Sequence, residues 1–245
     1  MGSFWSALRF LTIVPLGSEK ENQTNLGQSL TFFPLVGALI GLVAAGLNQL
    51  LLLIFPASVT NLLIVVVLVI LRGGLHLDGL MDTADGLFSQ KERSKMLEVM
   101  RDSRVGAFGA IALVSSILIK WSTLNQLDPV LKWRALVLVP VLGEWAIVYA
   151  AWHFPYAREG EGTGKIFANQ ANWLQLTAAS ITALLLALIL IEKSVLVLLV
   201  FVPLLLILAG YIARKLGGFT GDAYGAVAEL GEVLGFLLIL AVVGG

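Results

Sequence analysis

The stretch "NLLIVVVLVILRGGLHLDGLMDTADGL", Asn61–Leu87, decides the fold of this chain. Its first eleven residues are apolar except for the leading asparagine, which is typical of the middle of a membrane helix. Three aspartates, Asp78, Asp82 and Asp85, follow within the next few turns. Because charge is costly in or beside an apolar layer, these acids mark a candidate functional site at the end of a membrane span.

The whole chain has the composition of an integral membrane protein. Of its 245 residues, 58% are hydrophobic and only 13% are charged, whereas soluble domains are about half apolar and about a quarter charged. The apolar residues also come in long blocks. We therefore predict an all-α, polytopic helical bundle that forms a single membrane domain over residues 1–245. It should have six to seven transmembrane helices and a short N-terminal interfacial helix.

Six apolar blocks are each near the roughly 20 residues that a helix needs to cross a bilayer. A short last block from Val233 predicts either a seventh span or a helix at the interface. The six predicted spans are about Leu30–Phe55, Thr60–Leu80, Val105–Ser122, Ala135–Trp152, Trp173–Ile191 and Val195–Ala213.

The lysines and arginines predict the orientation of these spans. With the N-terminus in the cytoplasm, eleven of the 16 cations lie inside, Arg72 lies within a span and four lie outside. The four are Lys120, Lys132, Arg134 and Lys193. This asymmetry places the predicted loops 86–104, 154–172 and 213–232 together on the cytoplasmic side.

Net charge and cysteine content exclude several functions. The net charge is zero, so no overall field attracts nucleic acid, and we predict no nucleic-acid partner. The chain has no cysteine, which excludes disulfides, thiolate nucleophiles and cysteine metal sites.

The three aspartates have the spacing of a metal site. At i, i+4 and i+7 they fall within a wedge of about 60° on a helix, where unpaired carboxylates repel one another. A divalent cation removes that conflict, and hard oxygen ligands favour Mg²⁺ or Mn²⁺. The alternative is a solvated helix end whose charges pair with nearby arginines.

Two further loops carry residues suited to phosphate. In "MRDSRVGAFG", Met100–Gly109, Asp102 is a candidate fourth carboxylate and Arg104 a candidate phosphate ligand; the alternative is an ordinary helix cap. "PYAREGEGTGK", Pro155–Lys165, lacks the Walker A pattern. It is either a phosphate-wrapping loop or a flexible connector.

The stretch "RKLGGFTGDAYGAVAELGE", Arg214–Glu232, combines glycines with charged residues. Its acids, Asp222, Glu229 and Glu232, are candidate ligands for a metal or for sugar hydroxyls. The alternative is a hairpin at the membrane surface with capping charges.

Three further features have an ordinary structural interpretation or no clear partner in the sequence. Gly37 and Gly41 form a GxxxG pair inside the first span, which usually indicates close helix packing. His76 either supports the aspartate site or is a polar residue between packed helices. Glu144 lies inside a span and needs a partner or a proton.

Six motifs together resemble the cobalamin synthase family, the adenosylcobinamide-GDP ribazoletransferases. The resemblance runs from Phe4 to about Glu232. "DTADG" alone also fits the core of the CDP-alcohol phosphotransferases, but the rest of that longer signature is absent. The motifs are "FLTIVPLG", "FFPLVGALIG", "GGLHLDGLMDTADGLF", "MLEVMRDSRVGAFGA", "YAREGEGTGKIF" and "GGFTGDAYGAVAELGE".

The resemblance implies an Mg²⁺-dependent enzyme of a bacterial or archaeal cytoplasmic (inner) membrane. Its substrates would be adenosylcobinamide-GDP and α-ribazole or its 5′-phosphate, and its second product GMP. We predict Asp78, Asp82, Asp85 and Asp222 as metal ligands, and Asp82, Asp102 and Arg104 as catalytic residues. The predicted substrate-binding residues are His76, Arg158, Lys165, Arg214, Lys215 and Thr220.

Two other functions fit some of these features. A proton- or ion-coupled transporter would use the aspartates as a carrier site, although such sites tend to lie at the midplane between repeated halves. A CDP-alcohol-type phospholipid synthase shares only the DxxDG core. Besides the lipid bilayer, the predicted partners are a second copy of the chain, in a homo-oligomer, or other enzymes of the corrinoid pathway.

Overall fold

The chain folds almost entirely into α-helices. A computed structural model describes residues 2–14, 23–160 and 162–244, so Pro15–Gly17 of the first motif, Lys20 and Glu161 lie outside the described residues. The helices are α1 (Gly2–Leu11), α2 (Gln23–Gln28), α3 (Phe33–Leu51), α4 (Ala57–Leu71), α5 (Leu75–Phe88), α6 (Arg93–Val99), α7 (Ala107–Gln126), α8 (Pro129–His153), α9 (Thr163–Gln170), α10 (Trp173–Leu190), α11 (Ser194–Leu216) and α12 (Gly221–Val243).

Six helical segments are long and apolar enough to cross a membrane. They are Thr24–Leu51, which ends in α3, and the helices α7, α8, α10, α11 and α12. The pair α4 and α5 supplies a seventh if it is counted as one broken span. This confirms the prediction of an all-α, polytopic membrane bundle, and α1 is the short helix expected at its N-terminal end.

The span predicted at Thr60–Leu80 is broken near its middle. Helix α4 ends at Leu71, and α5 leaves it at an angle of 88°. Gly73 and Gly74 between them have φ values of +60° and +73°, a left-handed conformation that glycine adopts without steric cost. The aspartates therefore lie on a helix of their own, which crosses the end of the bundle.

The prediction of a loop at residues 213–232 is also wrong, because most of these residues are helical. Helix α11 runs to Leu216, and α12 begins at Gly221 after a turn in which Gly217 and Gly218 have positive φ. Neither a surface hairpin nor a short terminal span is present, since α12 continues unbroken to Val243. The glycines that suggested a loop instead allow α12 to pack closely against its neighbours.

The centre of the bundle is α8, with α3 and α12 packed against it. A Cβ atom at Gly37 or Gly41 would overlap the backbone carbonyls of Pro140 and Leu136 in α8. The GxxxG pair is thus a close-packing surface, as predicted.

Several loops meet at one end of the bundle. Tyr156, after α8, forms an isolated parallel bridge with Phe219, before α12. The Ala157 amide donates to the Phe219 carbonyl and the Phe219 amide to the Pro155 carbonyl, each at 2.8 Å. The Arg93 guanidinium donates to the carbonyl of Gly217. The end of α8, the start of α12 and α6 are thereby held together.

Candidate active site

The crossing of α5 and α12 positions the site. A Cβ at Gly79 would lie 2.5 Å from the carbonyl oxygen of Asp222, and one at Gly225 would lie 3.1 Å from the Cα of His76. Because neither glycine has a side chain, the two helix backbones touch. Asp78 on α5 is therefore next to Asp222 on α12, although the two are distant in sequence, and both line one cavity.

A second cavity, of about 220 Å³, lies on the other side of Asp78. Acids from α5 and basic residues from the loop before α7 share its walls. Its polar lining consists of Asp78, Asp82, Asp85, Arg101, Asp102, Ser103 and Arg104. The structure thus brings the aspartate motif and the "MRDSR" motif together, as the sequence predicts.

Three of the five aspartates that line the two cavities already have partners. Both carboxylate oxygens of Asp85 accept backbone hydrogen bonds at 2.8 Å, one from Gly106 and one from Gly109, so Asp85 caps the start of α7. The Asp222 carboxylate pairs with Arg158 at 2.6 Å. These contacts fix the positions of both acids.

Asp102 is the third paired acid. It accepts hydrogen bonds from the Arg104 side chain, the shortest at 2.6 Å, and these bonds lower the pKa of the carboxyl group to about 2. The Arg104 side chain is 87% exposed. Its guanidinium therefore projects into solvent, where a phosphate group has access to it, while Asp102 is a weak proton acceptor.

Asp78 and Asp82 are different. Within the described part of the chain, their side chains form no hydrogen bond or ion pair. Asp78 is exposed and Asp82 is half-buried one helical turn later. The Asp82 carboxylate interacts electrostatically with Asp78, Asp85, Asp222 and Arg158. These two carboxylates are the free oxygen donors of the site.

The donors suit Mg²⁺ by type, although no complete cage is formed. Among the described residues, no group of three or more histidines, cysteines and acids is arranged to hold a metal ion. Mg²⁺ is commonly bound by one or two carboxylates, with water and substrate phosphates completing its shell. Asp78 and Asp82 match that pattern, and Asp85 and Asp222 already have other partners.

The remaining predicted substrate-binding residues lie in different surroundings. His76 and Arg158 line the cavity of Asp222. Thr220 is fully buried, and its hydroxyl accepts a hydrogen bond from the Ala223 amide at the start of α12. Lys165 is half-buried on α9. Arg214 and Lys215 are exposed on the last turn of α11, with the Lys215 ammonium 6.0 Å from the Tyr211 ring.

Sequence reasoning missed the aromatic character of the cavity that Asp78 shares with Asp222. This cavity has a volume of about 270 Å³ and is lined by Phe10, Tyr156, Phe167 and Tyr224. Burial raises the pKa of the Tyr156 hydroxyl, which keeps it protonated. All four rings lie inside the quoted motifs, and this was the signal in the sequence that could have indicated them.

A buried ion network lies behind the site. Glu144 is paired with Arg72 at 3.4 Å and with the His76 Nε2 at 2.9 Å, which answers its need for a partner. Glu232 lies 2.5 Å from the Arg72 guanidinium and 2.6 Å from the Lys120 ammonium. These five residues are at most 5% exposed.

Glu229 completes the network. It lies 2.6 Å from the Lys120 ammonium and accepts a hydrogen bond from the Ser116 hydroxyl. Glu229 and Glu232 are therefore not available as ligands for a metal or for sugar hydroxyls, as the sequence had suggested. Lys120 is not outside the membrane either, because α7 carries it into the bundle interior.

Known proteins match nearly the whole chain. The sequence model of cobalamin-5-phosphate synthase matches residues 3–241. The chain belongs to the cobalamin-5-phosphate synthase family. The matched region includes both sides of the α5–α12 crossing and the loops that line the two cavities.

Relatives of this family align with nearly the whole chain. An adenosylcobinamide-GDP ribazoletransferase of Desulforamulus reducens is 41% identical over 96% of this chain and 94% of its own. Proteins of the same name from Geotalea daltonii and Clostridium acetobutylicum are 37% and 34% identical. The alignments cover 98% of both chains for the first, and 96% of this chain and 94% of the relative for the second. No solved structure matches the chain.

Proposed function

We propose that this protein is an adenosylcobinamide-GDP ribazoletransferase, acting in a late step of cobalamin biosynthesis. It transfers the adenosylcobinamide phosphate moiety from adenosylcobinamide-GDP to α-ribazole, or to α-ribazole 5′-phosphate, and releases GMP. The observation that carries the proposal is the pair of free carboxylates, Asp78 and Asp82, beside an arginine-lined cavity in a member of this family.

The cofactor that we propose is Mg²⁺, held by Asp78 and Asp82. Five aspartates line the two cavities, and a diphosphate brings further negative charge. When bound, Mg²⁺ neutralises that charge and stabilises the charge that develops on the phosphoryl oxygens. Asp222 would support the same ion from α12 once substrate draws Arg158 away from it.

The reaction is a displacement at phosphorus. A ribose hydroxyl oxygen of the acceptor forms a bond to the phosphorus on the cobinamide side. The bond from that phosphorus to the bridging oxygen breaks, and GMP leaves with the electron pair. Arg104 and Arg158 bind the phosphate oxygens through charged hydrogen bonds. These contacts orient the diphosphate for attack.

Asp82 is the carboxylate that we propose as the proton acceptor. Asp85 is held by two backbone amides, Asp222 by Arg158 and Asp102 by Arg104, whereas Asp82 is half-buried and free of such bonds. One Asp82 oxygen would hold the ion, and the other would receive the proton of the attacking hydroxyl. Asp102 acts instead by fixing the Arg104 side chain.

We place the N-terminus and the site on the cytoplasmic side of the inner membrane. The distribution of lysine and arginine between the two ends of the bundle supports this orientation. A homo-oligomer, or association with other corrinoid-pathway enzymes, stays a prediction.

The test is release of GMP by the purified protein from adenosylcobinamide-GDP and α-ribazole, with and without Mg²⁺. Asp82→Ala should lower kcat at least 100-fold, the lower end of what general-base catalysis commonly contributes. Chelation by EDTA should stop turnover, and Mg²⁺ should restore it. Glu192→Ala, an exposed change between α10 and α11, is the matched control.

Two outcomes would contradict the proposal. Full turnover by Asp82→Ala would remove the role of the carboxylate pair. Release of CMP from a cytidine-activated alcohol, with no GMP from the corrinoid substrate, would assign the protein to phospholipid synthesis instead.

A further inference from the structure

The aromatic cavity next to the carboxylates has the size and lining of a nucleoside site. Its volume of about 270 Å³ is walled by rings from four different parts of the fold, namely Phe10, Tyr156, Phe167 and Tyr224. Phe10 and Phe167 pack edge to face, with ring centres 5.0 Å apart. Tyr224 stacks on Phe219 at 5.3 Å, which fixes the direction of its ring. These ring contacts fix the orientations of Phe10, Phe167 and Tyr224.

The hydroxyl of Tyr224 is one of several polar groups in the lining of this cavity. Of the others, Arg158 and Asp222 form an ion pair with each other, and His76 is bonded to Glu144. Tyr224 is only 3% exposed, and its hydroxyl has no hydrogen-bond partner within the described part of the chain. A buried phenol normally finds a partner, because leaving it unpaired costs free energy. The Tyr224 hydroxyl can therefore donate to an acceptor atom of a ligand in this cavity.

We propose that this cavity is the subsite for the acceptor nucleoside, which deepens the proposed function and rests on it. The benzimidazole base of α-ribazole lies among the aromatic rings, and the Tyr224 hydroxyl donates to the ring nitrogen that does not carry the ribose. An apolar bicyclic base with one acceptor nitrogen matches the aromatic walls and the Tyr224 hydroxyl.

The position of Asp78 supports this division of the two substrates. Asp78 is the one acid that lines both the aromatic cavity and the cavity with Arg101 and Arg104. A base seated among the rings directs its ribose towards Asp78. The diphosphate then lies at the boundary between the two cavities, with Arg104 in the lining of one and Arg158 in the lining of the other. The attacking hydroxyl and the phosphorus meet there.

Tyr224→Phe tests the subsite, because it removes the hydroxyl and keeps the ring. The KM for α-ribazole should rise about three- to tenfold, the usual effect of one neutral hydrogen bond. The KM for adenosylcobinamide-GDP and kcat should change less than twofold. The matched control is Tyr149→Phe in α8, a half-buried tyrosine that is not in the wall of either cavity.

A binding titration gives a second readout that needs no turnover. The fluorescence of the benzimidazole reports α-ribazole binding to the wild type and to both variants without the donor substrate. Tyr224→Phe should raise Kd by the same factor as KM, while its thermal midpoint stays at or above that of the wild type. Added 5,6-dimethylbenzimidazole should displace α-ribazole, and guanosine should not.

The outcomes separate this inference from the proposed function. Wild-type protein that binds α-ribazole but releases no GMP would overturn the function and keep the subsite. Active protein in which Tyr224→Phe raises the KM for adenosylcobinamide-GDP, or changes neither KM, would overturn the subsite alone. Displacement of α-ribazole by guanosine would assign the cavity to the guanine of the donor and also overturn it.

Discussion

Hydrogen bonding, and not sequence spacing, divides the three aspartates of α5 by role. The i, i+4, i+7 pattern predicts that they share a helix face, and Asp78, Asp82 and Asp85 do line one cavity. The pattern does not show that Asp85 is bonded to the Gly106 and Gly109 amides, because these lie 21 and 24 residues further along, at the start of α7. Nothing in the sequence around Asp85 indicates that its side chain caps a different helix.

Asp85→Asn should lower the free energy of unfolding by about 1–2 kcal/mol, the usual cost of losing an N-terminal cap. The Gly106 and Gly109 amides donate to different oxygens of Asp85, and asparagine replaces one of these oxygens by an NH2 group, which cannot accept a hydrogen bond. Asp78→Asn, which breaks no such bond, is the control and should leave stability within about 0.5 kcal/mol. Unfolding in detergent measures both, and equal losses in the two variants would argue against the cap.

Glu232→Gln should be more damaging, because Glu232 pairs with both Arg72 and Lys120 in the interior. Breaking a buried ion pair from one side typically costs about 3–5 kcal/mol, since the partner charge is left uncompensated. Glu192→Gln makes the same chemical change on an exposed turn and should cost almost nothing. If the two variants melted at the same temperature, the ion network would have no part in stability.

At the scale of elements, two glycine-rich segments have structures that their composition does not reveal. "RGG" after the apolar run is a turn that bends the chain by 88°, whereas "GDAYG" is the start of a helix. Glycine is common to turns and to close helix crossings. Whether a glycine-rich segment forms a turn or a helix crossing depends on which backbone packs against it. That neighbouring backbone is determined only in the folded bundle.

Gly79→Ala should weaken both the fold and the site. The added Cβ would lie 2.5 Å from the Asp222 carbonyl oxygen, so α5 and α12 must separate. Overpacking of this kind costs about 1–3 kcal/mol. The shift also moves Asp78 relative to Asp222 and should lower kcat at least tenfold.

Gly210→Ala is the matched control for that change. A Cβ at Gly210, in the middle of α11, meets no atom within 4 Å. Alanine there should raise the free energy of unfolding by about 0.5–1 kcal/mol, because it favours the helix. Loss of GMP release in both variants would mean that the α5–α12 crossing has no special part in catalysis.

At the scale of the whole molecule, the number of membrane spans follows from the sequence, because apolar blocks of sufficient length need no partner to be recognised. The pairing of the interior charges does not follow from the sequence. Lys120 and Glu232 are 112 residues apart, and His76 and Glu144 are 68 apart. The aromatic cavity was missed for the same reason, because Phe10 and Tyr224 come from opposite ends of the chain.

The orientation can be measured directly because the chain has no cysteine. Lys95→Cys places a thiol on α6, at the end that carries the site, and Glu192→Cys places one at the opposite end. Both positions are exposed. In intact cells a membrane-impermeant maleimide should label residue 192 only, and permeabilisation should expose residue 95. The reverse pattern would put the site outside the cell.

The buried ion network also constrains how this protein can diverge. It contains three carboxylates, Glu144, Glu229 and Glu232, against two permanent cations and one imidazole. Loss of any one member leaves an opposite charge buried and uncompensated in an apolar interior. Neutral drift at these positions must therefore proceed by compensating double substitutions. Descendants of this sequence should show correlated exchanges between α4, α5, α7, α8 and α12, inherited as sets.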